Sequence, residues 1–415
     1  MEGEPSGEDI GEILRVEGGR ALATLTRLVG DWQVAEDCLA EATLVALRRW
    51  PETGVPRSPA AWLVTVGRNR ARDHYRREGR RRSKEADAVA LLDSGEPPVG
   101  GRRYSMLDDG DDLLRLIFTC CHPAIAPGTR VALSLKTLCG LTTAEVARVL
   151  LTSETAMAQR LVRAKRKIAT AVIPYRVPDD HELPDRLPAV LTVLYAVFTA
   201  GHSAAQGEEL VRVDLCVEAI RLTRLLRELM PDEPEVTALL ALELLVDARR
   251  ATRTDGNGDL VLLADQDRSR WDHAKIDEGL ALVDEAAGRS GSHGPLALQA
   301  GLAALHASAP TFADTDWAAV VDLYDELYAL HPTAVVRLNR AVAVAEHAGA
   351  PAGLAEVDRI DDLDHLHLLH AARGELLRRL GRSDEAAAAF AAALRCDPSA
   401  VERRFLERRL AECSR

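Results

Sequence analysis

The sequence predicts an all-α chain: two small helical units followed by a large α-helical domain. Three observations carry this. Ala and Leu dominate while aromatics make up 4% of the 415 residues, and Ala and unbranched side chains lose least on entering a helix. Apolar residues recur with a helical period along most of the chain. No sustained strand alternation occurs, the apolar residues at Leu260–Leu263 being too few. The expected organisation is a first unit over 8–84, a linker over 85–111, a second unit over 112–172, a helical extension over 173–294 and helical repeats over 295–415.

Each element follows from local signals. Amphipathic patterns place helices at Ile13–Leu28 and Asp31–Trp50. Pro51, Pro56 and Pro59 break the chain, and a third helix runs from Pro59 to about Arg82. Residues 85–111 hold Ser-Gly-Glu-Pro-Pro, Gly-Gly and Asp-Asp-Gly-Asp-Asp, the composition of a linker. Short helices fill Leu113–Val172, and Pro174, Pro178, Pro184 and Pro188 punctuate the next boundary. Helices then continue to the end, with one irregular stretch near Asp255–Trp271. Gly374, Gly381, Ala386, Phe390, Ala393 and Pro398 match the small, aromatic and proline positions of a tetratricopeptide repeat. Tyr324, Leu327, Pro332 and Ala341 form an earlier half-match, and a plain helical bundle is the alternative.

Charge is unevenly distributed. Residues 1–175 carry 26 Lys/Arg and 23 Asp/Glu, whereas the remainder carries 26 and 41, for an overall −12. A near-neutral front with basic clusters and an acidic back suggest two separate tasks. The seven cysteines are odd in number and form no CxxC, so they read as reduced and buried. The acidic start MEGEPSGEDI is unlike a signal peptide. The longest apolar run, Ala189–Ala200, has 12 residues, short of the ~20 needed to span a bilayer. A cytoplasmic, soluble protein with no membrane partner is expected.

Three segments carry functional signals. In Leu141–Ile168, Thr142 and Glu145 form a capping box, the helix ends near Leu150, and Thr152 or Ser153 can cap the next. That second helix puts Met157, Leu161, Ala164 and Ile168 on one face, the pattern of a helix-turn-helix. Its polar start (Ser153, Glu154, Thr155, Gln159, Arg160) is placed to reach base edges, and Arg163, Lys165, Arg166 and Lys167 to hold phosphates. The alternative is a structural hairpin with a solvated basic face. In Trp62–Lys84, nine of 23 residues are basic and two acidic. Interleaved with Trp62, Asn69 and Tyr75, they suit single-stranded DNA, where bases stack on rings and phosphates pair with arginine; a solvated helix end is the plainer reading. Asp31–Trp50 clusters Glu36, Asp37 and Glu41, which alone means only an exposed face.

The order of these segments resembles the two-domain core of extracytoplasmic-function sigma factors over nearly all of residues 10–172. AEDCLAEA at Ala35–Ala42 resembles their polymerase-clamp helix, with Ala40 where many relatives have glutamine. PAAWLVTVGRNRARDHYRR at Pro59–Arg77 resembles their −10 element segment, and the Leu141–Ile168 pair their −35-binding helix-turn-helix. RLIFTCCHPAIAP (Arg115–Pro127), VRVDLCVEAIRL (Val211–Leu222) and LLADQDRSRW (Leu262–Trp271) resemble the subgroup with a tetratricopeptide-type C-terminal domain. TAGH at Thr199–His202 departs from the Asn-Glu-Gly-Tyr-like segment expected there. The resemblance implies sigma regions 2 and 4 and partnership with core RNA polymerase and promoter DNA. Glu36, Asp37 and Glu41 would then contact polymerase. Trp62, Arg68, Asn69, Arg72, Arg76 and Arg77 would meet the melted strand, and Ser153, Glu154, Thr155, Gln159, Arg160, Arg163, Arg166 and Lys167 the upstream duplex. The acidic C-terminal domain would regulate, through a protein or peptide partner of its repeats.

Other signals are weaker. Cys120-Cys121-His122 has no second ligand pair at finger spacing. His365, His367 and His370 suit a surface or interhelical role. Asp255-Gly-Asn-Gly-Asp259 lacks the glycine and terminal glutamate of a calcium loop and reads as a turn. No phosphate-binding loop, nucleophile elbow or HExxH occurs, so neither enzyme activity, metal nor cofactor is expected. Two other classes stay open: a helix-turn-helix regulator acting without polymerase, and a repeat scaffold whose basic helices are merely solvated.

Overall fold

The structure, a computed structural model, describes residues 7–82, 109–150, 152–171, 173–179, 181–202, 213–289 and 294–413. Among these residues there are helices and no strand, only an isolated bridge between Thr254 and Leu260. The chain forms two compact units, residues 1–194 and 195–415.

The first unit opens with α1 (Gly7–Val29), α2 (Trp32–Thr53) and α3 (Pro59–Arg82), each packed on the other two. Asp31 caps α2 by accepting the Val34 N–H at 3.0 Å. Pro51 is taken into the last turn of α2, and the helix stops at Gly54, whose φ of 76° suits glycine. The three helices enclose Ile10, Leu22, Leu25, Trp50 and Leu63, all nearly or wholly buried.

Next come α4 (Asp109–Cys120), α5 (Pro127–Thr137), α6 (Thr143–Val149) and α7 (Glu154–Thr170). The expected linker over 85–111 lies outside the described residues up to 108, and its last three positions already belong to α4. α4 and the end of α5 pack on α1. Asp112, buried to 2% exposure, accepts from Arg27 Nε at 2.7 and 3.0 Å and from Arg115 at 3.0 Å. The Tyr175 hydroxyl bonds the carbonyls of Ala23 (2.8 Å) and Asp112 (3.0 Å). A Cβ on Gly19 would stand 2.5 Å from the Leu138 carbonyl oxygen, so only glycine admits this approach.

The second unit begins within α8 (Leu183–His202) and continues through α9 (Val213–Leu229), α10 (Pro234–Asp247), α11 (His273–Arg289) and α12 (Pro295–Ser308). α13 (Trp317–Leu330), α14 (Ala334–Ala348), α15 (Ala350–Val357), α16 (His367–Arg379), α17 (Ser383–Arg395) and α18 (Ala400–Cys413) complete it. From α9 onward most helices pack on the next in sequence. α8 is the one described helix long and apolar enough to cross a bilayer, and 44% of its apolar window is buried inside the protein. α10 is buried almost all round, its core including Glu243. Gly374 lies where a Cβ would meet the Phe390 ring at 2.8 Å, so its lack of a side chain lets α16 and α17 close on each other. Gly381 (φ 71°) makes the turn between them.

The irregular stretch from Asp255 to Trp271 is held at several points. Asp255 Oδ1 accepts the N–H groups of Asn257 (2.8 Å) and Asp259 (3.0 Å), a side-chain-closed turn. Asp259 pairs with Arg404 at 2.8 Å and with Arg408, both on α18. Trp271 Nε1 donates to Thr252 Oγ1 at 2.9 Å.

Candidate nucleic-acid and polymerase interface

The helix-turn-helix forms as its local chemistry dictates. The Thr142 N–H donates to Glu145 Oε2 at 2.6 Å and the Glu145 N–H to Thr142 Oγ1 at 3.2 Å, closing the capping box that starts α6. Ser153 rather than Thr152 caps α7, accepting from Ala156 N at 3.2 Å. Met157, Leu161, Ala164 and Ile168 are all buried. The opposite side leaves Ser153, Glu154, Thr155, Gln159, Arg163, Arg166 and Lys167 exposed and Arg160 half-buried. Ser153 Oγ is occupied by the cap. None of the cations Arg160, Arg163, Arg166 and Lys167 makes an ion pair with a described residue. An exposed, cationic α-helix of this size is one that a B-DNA major groove can admit.

α3 presents a second cationic face. Asn69, Arg72 and Arg76 are exposed, and neither arginine forms an ion pair with a described residue. Arg68 is half-buried and its Nε lacks a hydrogen-bond partner. Trp62 is half-buried, edge-on to Trp50 with ring centroids 5.4 Å apart. Tyr75 is 44% exposed and donates to the Val29 carbonyl. The Arg77 side chain lies outside the described residues.

The acidic trio on α2 divides. Asp37 and Glu41 are exposed, Glu41 standing 3.3 Å from Arg70. Glu36 is only 19% exposed and accepts from Lys165 Nζ at 2.6 Å. Lys165 thus turns away from the rest of the α7 cations, toward α2. Sequence reasoning missed this pair, which joins residues 129 apart. The mid-helix Gly18-Gly19 of α1 was the available clue to a close approach of the two halves. Near that seam, burial pushes the Cys120 thiol up to about 12 and raises Cys121 too, so neither is a thiolate at neutral pH.

Comparison with known proteins agrees with this geometry. Residues 15–81 match Sigma-70 region 2 and residues 115–168 match Sigma-70, region 4. Residues 186–287 match a family of unknown function (DUF6596). An uncharacterized protein of Rhizobium meliloti (strain 1021) is 43% identical over 396 residues, covering 94% of this chain and 92% of that protein. Region 2 and region 4 domains in one chain support a sigma-factor-like role in promoter-specific transcription. The chain belongs to the sigma-70 family as an extracytoplasmic-function-like sigma factor with an extra C-terminal domain. Its domains imply core RNA polymerase and promoter DNA as partners.

Proposed function

We propose that this sigma factor grips the upstream promoter duplex with α7, holds the melted strand on α3, docks on polymerase through the exposed face of α2, and is regulated by its acidic C-terminal half. The observation that carries this reading is the pair of outward cationic faces: Arg72 and Arg76, beside the polar Asn69, on one helix, and Arg163, Arg166 and Lys167 on another, none of these cations paired with a described residue. Cations on a fold surface with no internal partner gain most from polyanion contact, through release of condensed counterions. Asp37 and Glu41 supply the clamp-facing acids. Glu36 joins them only after leaving Lys165, so the arrangement described is the idle one, with region 4 folded against region 2.

For the C-terminal half, a cavity of ≈ 630 Å³ lies among the Leu262–Asp265 segment, α12, α13, α14, α16 and α18, lined by Trp317, Tyr324, Asn339, Glu375 and Arg379 among others. Mixed apolar and polar lining of this kind supports a protein or peptide partner for a tetratricopeptide-like array. Run-off transcription with core polymerase tests both parts. The full chain is expected to direct initiation from a selected promoter, and a chain ending at Glu182 is expected to do so with changed efficiency. No product from either chain would end the reading, and equal yields would remove the regulatory role.

A further inference from the structure

Val162 is 64% exposed, more than any other large hydrophobic side chain among the described residues. Its position in α7 is specific. At 100° per residue, Thr155, Gln159, Val162 and Arg166 fall within about 60° of one another, and their mean direction lies about 160° from that of Met157, Leu161, Ala164 and Ile168. The first four are all exposed and the second four all buried. Val162 therefore lies midway along the length of this outward stripe, on its edge toward Ala158 and Ala169 and about 130° from the core direction, where packing asks for nothing apolar. Arg160, Arg163 and Lys167 flank the stripe on one side, and the exposed small residues Ala158 and Ala169 lie on the other. The small side leaves room for a groove floor to approach, and the arginine side is aimed where a phosphate wall would stand.

A duplex offers one apolar group on the major-groove floor, the C5-methyl of thymine. We propose that Val162 reads a thymine methyl in the upstream promoter element, making it a specificity-determining residue of the duplex-binding helix. The stripe then combines polar readout by Thr155 and Gln159 with one apolar contact. This rests on the proposed duplex binding by α7.

The test uses the full chain assembled with core polymerase and a promoter duplex selected from a random pool. Each upstream thymine is replaced in turn by deoxyuridine, which lacks only the methyl, and affinity is measured by competition anisotropy for wild type, Val162→Ala and Val162→Thr. One thymine should weaken wild-type binding about fourfold on losing its methyl, the effect of one buried methyl group. Val162→Ala should lose a similar factor on thymine DNA and nothing more on deoxyuridine DNA. Val162→Thr, which keeps one branch methyl, should fall between. Alanine is the better helix former, so weaker binding by that variant does not report unfolding. An upstream element without thymine, insensitivity to every deoxyuridine, or losses that simply multiply would each overturn the inference. A holoenzyme that selects no duplex at all would instead remove the reading on which it rests, and the inference with it.

Discussion

Asp112 joins α4 to α1, and its loss is predicted to loosen region 4 from region 2. The carboxylate is 2% exposed and carries two guanidinium groups, Arg27 at 2.7 Å and Arg115 at 3.0 Å. Asp112→Ala removes the carboxylate that the two guanidinium groups share and leaves a small cavity beside them. Removing one partner of a fully buried pair costs about 3–5 kcal/mol. Arg27 and Arg115 are 29% and 27% exposed, so water takes up part of that loss and about 2–3 kcal/mol is the expected figure. Hydrogen exchange reads this directly, because the amides facing the seam exchange by local opening. Protection over 22–26 of α1 and 113–118 of α4 should fall about 30- to 150-fold, at one decade per 1.36 kcal/mol. Asp112→Asn keeps the volume and some of the hydrogen bonding and should lie between. A change below about threefold would show that the seam does not depend on this cluster, and that part of the reasoning would fail.

Three further outcomes concern the second unit. Gly374→Ala puts a Cβ 2.8 Å from the Phe390 ring; overpacking should cost about 1–3 kcal/mol in thermal or urea unfolding, with partial recovery in a Gly374→Ala, Phe390→Leu double variant. Burial pushes the Glu402 carboxyl up, but His367 at 3.2 Å and Ser399 at 2.7 Å outweigh it and hold it at about 2. A depressed acid stabilises the fold above its unfolded value and loses that as pH falls, so up to about 3 kcal/mol should disappear between about pH 5 and 2, and Glu402→Gln should flatten this stretch of the stability profile. Burial raises Glu243 well above the ordinary carboxylate range, with Asp247 adding to it. Its neutral form is favoured in the fold, so its contribution is full below the unfolded value and lost as pH rises. Glu243→Gln should therefore raise the Tm at pH 8 and change little at pH 4; a lower Tm at pH 8 would contradict the neutral assignment.

Much of the helix-turn-helix was legible in sequence because it depends on contacts three or four residues apart. The Thr142–Glu145 box, the Ser153 cap and the Met157–Ile168 stripe are all of this kind, and each forms in the structure. The same locality revealed α3 from Pro59 to Arg82. Contacts between distant segments were hidden. Glu36 read as an exposed acid, yet it meets Lys165; Asp259 read as a turn residue, yet it also anchors Arg404 and Arg408. Nothing in the spacing of such residues encodes a partner more than a hundred positions away. The exceptions are steric: Gly19 in mid-helix and Gly374 mark places where a backbone or a ring comes too close for a Cβ.

Permanganate footprinting of the holoenzyme on its selected promoter addresses the division of labour between α3 and α7 most directly, because it detects unstacked thymines separately from duplex binding. With Arg68, Arg72 and Arg76 changed together to alanine, the holoenzyme should still hold the upstream duplex while the reactive thymines of the opened region disappear. Undiminished reactivity would show that α3 does not hold the melted strand. Loss of upstream binding along with it would show that the two helices do not act on separate parts of the promoter.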